Sequence, residues 1–354
     1  MRVTPTPRRF LSDNTATVCP EILAALTAAN EGLAVAYGDD PWTQRLDAVL
    51  GDFFGTEVRA FAVATGTAAN SLSLATLSPP YGAIFAHEEA HVVRDECGAP
   101  EFFSGGARLI LVRGEHGRIS SEALTEALAS YPPSVHTVQL VALSLTQATE
   151  FGTAYRPADI AALSAIAHRK GLKVHMDGAR FANAVGFLGC HPSEVTWRAG
   201  VDVLSLGATK NGALSAEAIV AFDDRIAEEL VYRTKRSGHV TSKLRFQSAQ
   251  VAAYLTDGLW LRLASSSNRR MAELVAELEP LASYGVRLAE RVDVNMAFVE
   301  LPAAAIDAAT DAGVLCYRMS ETSVRLVTSW QTTADDVTRA AATFRDAVAA
   351  VAPS

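Results

Sequence analysis

The sequence predicts an α/β protein, with a large domain built on a mostly parallel sheet of seven-stranded type and a small α/β domain at the C-terminus. Two observations lead to this prediction. Short apolar runs typical of buried strands alternate with helical patterns between residues 109 and 176. A long helical stretch, from about Ile226 to Leu278, then leads to a second group of strand and helix patterns. Strands separated by helices are typical of βαβ units, whose right-handed crossovers produce parallel strand pairs.

The individual elements follow from the spacing of apolar residues and from the turn signals between them. We predict helices that begin near Pro20 and at Thr43–Phe54, Ser71–Leu77, Glu122–Ser130, Ala158–Lys170, Ile226–Leu278 with a break near Gly238, Ala303–Ala312 and Thr333–Val351. We predict strands at Arg59–Ala64, Ala83–Ala86, Leu109–Val112, Thr137–Ser144, Leu172–Met176, Val201–Ala208, Ala218–Phe222, Met296–Leu301 and Val324–Thr328. The predicted organisation is an N-terminal arm over residues 1–19, a large domain over residues 20–250 and a small domain over residues 251–354.

Composition and charge narrow the classes of protein. Hydrophobic residues make up 49% and charged residues 20% of the 354 residues, within the range of ordinary globular proteins. The net charge of −8 leaves no basic stripe for a phosphate backbone, so we expect no nucleic acid partner. No apolar run approaches the roughly 18 residues of a membrane span, and none follows the charged N-terminus, so we expect a cytoplasmic protein without membrane contact. The four cysteines lie far apart without a CxxC pair, which predicts reduced thiols rather than a metal site.

An acid and a lysine follow two successive predicted strands. Asp177 falls at the carboxyl end of the strand Leu172–Met176, and Lys210 follows the strand Val201–Ala208. Open α/β sheets bind their ligands at this edge. A lysine that forms a Schiff base and a carboxylate that keeps a pyridine nitrogen protonated are the two groups that a pyridoxal 5′-phosphate (PLP) enzyme requires. The sequence therefore predicts a PLP site at Asp177 and Lys210, although taken singly either residue could be an ordinary helix cap or a solvated lysine.

A third segment fits the same hypothesis. The strand Arg59–Ala64 turns through Thr65-Gly66-Thr67-Ala68-Ala69-Asn70 into a helix. Free N–H groups and the positive end of a helix dipole suit a phosphate dianion. The pattern is also that of an ordinary strand-to-helix turn with a threonine cap, so its weight comes from Asp177 and Lys210.

His87-Glu88-Glu89-Ala90-His91 matches the HExxH pattern of zinc peptidases. That chemistry needs both histidines on one face of a helix and a further ligand downstream. Here the pattern directly follows a predicted strand, and Gly98 and Pro100 interrupt any helix soon afterwards. We therefore expect no metal, and expect one of these histidines to stack on a flat cofactor ring instead.

Six motifs in order make the chain resemble the threonine aldolases, a family within the fold-type I PLP-dependent enzymes. They are Ser12-Asp13-Asn14-Thr15, Tyr37-Gly38-Asp39-Asp40-Pro41, Thr65–Asn70, Asp177-Gly178-Ala179-Arg180, Lys210 and Val324-Arg325-Leu326-Val327-Thr328. The resemblance covers nearly the whole chain and implies roles for some of the matching residues. As catalytic groups it implies Lys210, His91 and Asp177; as cofactor-binding groups Gly66, Thr67, His91, Asp177, Arg180, Thr209 and Lys210; as substrate-binding groups Ser12, Tyr37, Arg180 and Arg325. An arginine fork fits a carboxylate with two hydrogen bonds, which agrees with the last assignment.

The resemblance also implies that Tyr37 reaches into the site of a neighbouring subunit, so we expect a homodimer or homotetramer. In one segment the chain departs from the family. Many relatives have a histidine near the substrate hydroxyl, whereas this chain reads Thr146-Gln147-Ala148-Thr149-Glu150-Phe151-Gly152. The base that removes the proton of the β-hydroxyl is therefore left open between His91, Glu96, Glu150 and a water molecule.

The reaction that the resemblance implies is the cleavage of threonine, allo-threonine or a related β-hydroxy-α-amino acid such as phenylserine to glycine and an aldehyde. The nearest alternative is another reaction of the same cofactor, such as β-elimination, racemisation or transamination, because a fold does not determine the reaction. The zinc peptidase is a distant alternative, and a cofactor-binding regulator without catalysis is the last.

Overall fold

The structure is a computed structural model that describes residues 8–351. In chain order its strands are β1 (Arg8–Arg9), β2 (Arg59–Val63), β3 (Gly82–His87), β4 (Arg108–Val112), β5 (Gln139–Thr146), β6 (Lys173–Gly178), β7 (Val203–Gly207), β8 (Glu217–Ala221), β9 (Arg287–Leu288), β10 (Met296–Glu300), β11 (Val314–Leu315), β12 (Tyr317–Ser320) and β13 (Ser323–Val327). The α-helices are α1 (Pro20–Ala29), α2 (Pro41–Gln44), α3 (Leu46–Phe54), α4 (Gly66–Leu77), α5 (His91–Arg94), α6 (Ala99–Ser104), α7 (Ser121–Ala129), α8 (Pro157–Arg169), α9 (Phe181–Leu188), α10 (Asp224–Arg236), α11 (Arg245–Leu255), α12 (Leu259–Leu278), α13 (Ala303–Asp311) and α14 (Ala334–Val351).

Seven strands form the large sheet, in the order β2-β8-β7-β6-β5-β3-β4. The pairs from β7 to β4 are parallel, and β8 runs antiparallel to both of its neighbours. Every residue of β3, β7 and β8 is buried, as expected for strands that are covered on both faces. The predicted α/β class with a mostly parallel seven-stranded sheet is therefore confirmed.

A second sheet of four antiparallel strands, in the order β12-β13-β10-β9, forms the small domain with α13 and α14. It has its own apolar core, which includes Leu326 and Phe344. The N-terminal segment was expected to be an arm without regular structure, but β1 pairs with β11. Phe10 is fully buried in the same core. The start of the chain is thus part of the small-domain packing, while the exact domain boundaries stay a prediction.

Several predicted element bounds were wrong. The helix predicted over Thr43–Phe54 is two helices, α2 and α3, which meet at Arg45. Helix α4 begins at Gly66 rather than Ser71, because the Thr65 side chain accepts a hydrogen bond from the Ala68 N–H and so caps the helix five residues earlier. The stretch predicted over Ile226–Leu278 breaks twice, and the second break was missed; there Gly258 takes a left-handed conformation, with φ of 66°.

The bounds of the parallel strands also differ from the prediction: β7 is shorter than the predicted Val201–Ala208, whereas β6 is longer at its carboxyl end. Strand β6 continues through Asp177 and Gly178 rather than stopping at Met176, since Asp177 is registered with Thr146 on β5 and with Ser205 on β7. Close packing of this edge is possible because position 207 is a glycine, where a Cβ would lie 2.6 Å from the Ala179 carbonyl oxygen.

Within residues 8–351, none of the helices has both the length and the apolar content needed to span a lipid bilayer.

Candidate functional site

A cavity of about 330 Å³ opens at the carboxyl edge of the large sheet. Its size is within the range of about 300–1,000 Å³ that is usual for small-molecule sites. Its lining includes six of the residues that were predicted as cofactor-binding: Gly66, Thr67, His91, Asp177, Thr209 and Lys210. A larger groove of about 880 Å³ lies around Arg113 and His116, and contains none of the predicted residues. The larger volume therefore does not mark the cavity in which the predicted residues come together.

The amine of Lys210 faces this cavity with no hydrogen bond or ion pair to any residue in the described range 8–351. Lys210 lies in a short turn of 3-10 helix, Thr209–Asn211, directly after β7. The Thr209 hydroxyl accepts a hydrogen bond from the Ala216 N–H at 3.2 Å, which fixes this turn against the approach to β8. An unpaired primary amine in a cavity is available to form a covalent bond with a carbonyl group.

Asp177 is 2% exposed, and both of its carboxylate oxygens are hydrogen-bonded. Oδ1 accepts from the Ala179 N–H at 3.0 Å, and Oδ2 accepts from Asn70 Nδ2 at 3.0 Å. These two bonds hold the carboxylate in place at the floor of the cavity. A fixed buried carboxylate is suited to pair with a protonated ring nitrogen.

Asn70 links Asp177 to a second acid that the sequence did not connect with it. Its Nδ2 group also donates to Glu96 Oε1 at 2.8 Å, and Glu96 Oε1 lies 2.9 Å from His91 Nδ1. The hydrogen bond to Glu96 raises the pKa of His91, and burial raises the pKa of Glu96. A proton is therefore held readily between His91 and Glu96.

The HExxH segment does not have the geometry of a zinc peptidase. His87 ends β3, where its Nε2 lies 3.1 Å from the Gly114 carbonyl oxygen and its Nδ1 accepts from the Glu89 N–H. His91 begins the separate helix α5. Among residues 8–351, no group of three or more His, Cys, Asp and Glu side chains could hold a metal ion. The peptidase alternative requires both histidines on one helix face, and is therefore wrong.

Neither of the two arginines predicted to bind a carboxylate is part of the cavity lining. Arg180 is 5% exposed and forms two hydrogen bonds with Asp13, from Nε to Oδ2 at 2.8 Å and from Nη2 to Oδ1 at 3.0 Å. Burial alone would raise the pKa of Asp13, but the charge of Arg180 acts in the opposite direction. The pKa of Asp13 is lowered as a result, so this acid stays ionised. Ser12, the preceding residue, is half-buried, and its hydroxyl accepts from the Asn14 N–H.

Arg325 on β13 is less completely paired than Arg180. Its guanidinium stacks over the Tyr317 ring at 4.9 Å from the centroid, and its Nε is buried without a hydrogen-bond partner in the described part of the chain. Burial, and then the nearby charge of Arg180, lower the pKa of Arg325. The charge of Glu150 raises the pKa of Arg180 and acts against the lowering of the pKa at Arg325. A guanidinium group with an unsatisfied donor is suited to bind a carboxylate.

Tyr37 is the predicted site residue that lies away from its own cavity. It is 57% exposed, has a left-handed φ of 62°, and has the Lys235 amine 4.6 Å from its ring centroid. A bulky residue rarely adopts a positive φ, so the surrounding structure holds it there. Its position does not test the assignment to a neighbouring subunit.

The residues present fit PLP. The Lys210 amine is unpaired, Asn70 Oδ1 and Glu96 Oε2 are buried without partners within residues 8–351, and the N-terminus of α4 lines the same cavity. Nothing lies within 4 Å of a Cβ placed at Gly66, so a side chain there would extend into the cavity itself. Reasoning from sequence assigned no role to Asn70, Asp13 or Glu217, because only the fold shows what their side chains contact.

Comparison with known proteins agrees with this site. The Beta-eliminating lyase family matches residues 9–304. A protein of Pseudomonas aeruginosa named low specificity L-threonine aldolase is 43% identical over 343 residues, which are 96% of each chain. A protein of the same name from another Pseudomonas is 41% identical, over 97% of this chain and 99% of the relative.

Among solved structures, a threonine aldolase of Leishmania major superposes with a TM-score of 0.89 at 24% identity, covering 97% of this chain and 100% of the other. At that level of identity, the likeness concerns the fold. The family match and the two Pseudomonas relatives settle the classification: the chain belongs to the beta-eliminating lyase family and, within it, to the threonine aldolases.

Proposed function

We propose that the protein is a PLP-dependent aldolase, which cleaves threonine, allo-threonine or a related β-hydroxy-α-amino acid such as phenylserine to glycine and an aldehyde. The observation that carries this proposal is the single cavity that contains the Lys210 amine, the Asp177 carboxylate, the His91 ring and the N-terminus of α4. The names of the two Pseudomonas relatives support the choice of reaction.

In this proposal Lys210 anchors the cofactor covalently, and Gly66, Thr67 and Thr209 bind its phosphate. Asp177 keeps a proton on the pyridine nitrogen, and His91 stacks on the ring. When bound, PLP accepts the electron pair that is left on Cα when the Cα–Cβ bond breaks. Asp177 is held for this task by the N–H groups of Ala179 and Asn70.

The substrate carboxylate is bound by Arg180 and Arg325, with the Ser12 hydroxyl beside them. Arg180 is already oriented by Asp13, so little conformational entropy is lost when the substrate binds. Arg325 has an unsatisfied Nε, which gains a partner in the complex. The charge of Glu150 raises the pKa of Arg180 and also that of His91.

His91 is the proposed base for the β-hydroxyl, since the histidine of other family members is absent after β5. His91 Nδ1 is bonded to Glu96 Oε1, which leaves Nε2 to take the proton. Glu96 stabilises the charged ring that results, as a carboxylate does when it orients a catalytic histidine. A homodimer or homotetramer in which Tyr37 completes the neighbouring site is part of the proposal, and it rests on the resemblance to the threonine aldolases. The cytoplasmic location expected from the sequence stays a prediction.

The test is product analysis with the purified protein. We expect glycine together with acetaldehyde from threonine, and glycine together with benzaldehyde from phenylserine. 2-Oxobutanoate and ammonia from threonine, or phenylpyruvate and ammonia from phenylserine, would contradict the aldolase proposal in favour of elimination. Lys210→Ala should abolish the reaction, whereas Lys170→Ala, a change of an exposed lysine at the end of α8, should leave it unchanged.

A further inference from the structure

Glu217 is a buried acid in the cavity lining, and the proposed reaction gives it no role. It begins β8 and is 7% exposed. In the sheet it is registered with Val63, which ends β2, on one side and with Gly207, which ends β7, on the other. The segment after β2 carries Gly66 and Thr67, and the segment after β7 carries Thr209. Glu217 therefore lies between the two segments proposed to bind the phosphate.

The carboxyl group is held in this position and faces the cavity. Glu217 Oε2 accepts a hydrogen bond from the Ala208 N–H at 2.9 Å, and Glu217 is part of the cavity lining. The Lys210 amine, from the turn after β7, lowers the pKa of Glu217, and the charge of Glu217 in turn raises the pKa of the Tyr254 phenol on α11. Lys210 is the group proposed to bind the cofactor covalently.

A negative charge at Glu217 is costly in this environment. Burial raises the pKa of Glu217 to about 7, although the Thr209 hydroxyl, the backbone N–H groups and Lys210 act in the opposite direction. A phosphate monoester adds a charge of about −1.5 to −2 near neutral pH. A second negative charge close to a buried carboxylate favours the neutral acid further. Binding of the phosphate and ionisation of Glu217 therefore disfavour each other.

We propose that Glu217 takes up one proton from solvent when the phosphate group of the cofactor binds, and that it acts there as a neutral hydrogen-bond donor. The inference rests on the proposed function, because that function brings a phosphate to this site. Protonation removes the repulsion between the Glu217 carboxylate and the phosphate, and it adds a hydrogen-bond donor to the phosphate-binding segments. Above pH 7, proton linkage then makes cofactor affinity fall by about 10-fold per pH unit, until the bound acid itself ionises.

Titration calorimetry of the full-length protein, freed of cofactor, tests the proposal. Pyridoxamine 5′-phosphate is the probe, because it carries the phosphate but forms no Schiff base with lysine. Binding heats measured at pH 8 in buffers of different ionisation enthalpy give the number of protons taken up. We expect about 0.9 proton more for the wild type than for Glu217→Gln, because a group with a pKa of about 7 is only about 10% protonated before binding.

The comparison with Glu217→Gln isolates this one group. Proton uptake at the pyridine nitrogen beside Asp177 occurs in both proteins and cancels in the difference. Glu228→Gln, a change of an exposed acid on α10, is the matched control and should take up as many protons as the wild type. Equal proton uptake in wild type and Glu217→Gln would overturn the inference and leave the aldolase proposal standing. Failure of the probe to bind to the wild type would overturn both.

An infrared measurement on the wild type decides the question even if Glu217→Gln does not fold. The difference spectrum between cofactor-loaded and cofactor-free protein at pH 8 should show the carbonyl band of a neutral carboxyl group appearing as a carboxylate band is lost. A spectrum with no such carbonyl band would overturn the inference.

Discussion

Replacing Asp13 by asparagine removes the negative charge from a buried ion pair. Asp13 is 2% exposed, accepts two hydrogen bonds from Arg180, and accepts a third from Asn295 Nδ2 at 3.1 Å. Arg180 lies on the large domain and Asn295 immediately before β10 of the small domain. The N-terminal segment thus joins the two domains through one carboxylate.

The expected cost can be worked out from this geometry. Removing one partner of a buried ion pair leaves the other charge uncompensated, and typically costs about 3–5 kcal/mol. Unfolding entropy near 2.1 cal/mol/K per residue gives roughly 0.7 kcal/mol/K for a chain of 354 residues. The change Asp13→Asn should therefore lower the midpoint of thermal unfolding by about 4–7 °C.

The assay is thermal unfolding of the cofactor-loaded protein, followed by circular dichroism or calorimetry. Asp307→Asn is the matched control, because Asp307 pairs with Arg318 at 2.7 Å but is 65% exposed. Exposed pairs contribute about 0–1 kcal/mol, so this variant should unfold close to the wild-type temperature. Equal shifts for the two variants would refute the reasoning that burial makes the Asp13 pair important.

Three further changes test other parts of the structure. Burial lowers the pKa of His175 to about 4. Between pH 6.5 and 4 only the unfolded chain binds a proton at this residue, so the folded protein loses stability as the pH falls through that range. In urea titrations, His175→Gln should remove roughly 3 kcal/mol of this acid-dependent loss. Asn70→Ala removes the donor that Asp177 and Glu96 share, and should lower the free energy of unfolding by about 1–3 kcal/mol. Asn30→Ala, a change of an exposed asparagine, should lower it little. Equal losses for the two variants would contradict a stabilising role for the hydrogen bonds of Asn70. Arg325→Lys loses the guanidinium fork and should raise KM for threonine about 10–100-fold with a smaller change in kcat, and an unchanged KM would exclude Arg325 from carboxylate binding.

The main features of the fold could be predicted because strands such as β3, β7 and β8 of the large sheet are buried on both faces. Its strands are apolar runs without alternation, and the helices between them show the spacing of half-buried elements. Asp177 and Lys210 could be paired from sequence alone, since the carboxyl ends of neighbouring parallel strands meet at one edge. Strand ends were less accurate, because Asp177 and Gly178 continue β6 through backbone pairing that no local pattern reveals.

The network around these two residues could not be predicted from local patterns. Asn70 appeared only as the last residue of a turn motif, and nothing in the sequence relates it to an acid 107 positions away. Glu217 was placed outside its strand, since a charged residue beside an apolar run usually lies in solvent. Only the antiparallel insertion of β8 between β2 and β7 brings Glu217 into the cavity. Contacts that depend on the order of strands in the sheet cannot be predicted from local sequence patterns.

Borohydride reduction of the purified, cofactor-loaded protein, followed by peptide mapping, tests the covalent anchor of the proposed site. Reduction fixes the cofactor to the amine that holds it, and the modified peptide identifies that amine. We expect the pyridoxyl group on Lys210 alone, and none on the peptide that contains Lys173, whose amine is paired with Asp202 and Asp223. A pyridoxyl group on another lysine, or none at all, would contradict the assignment of this cavity as the cofactor site.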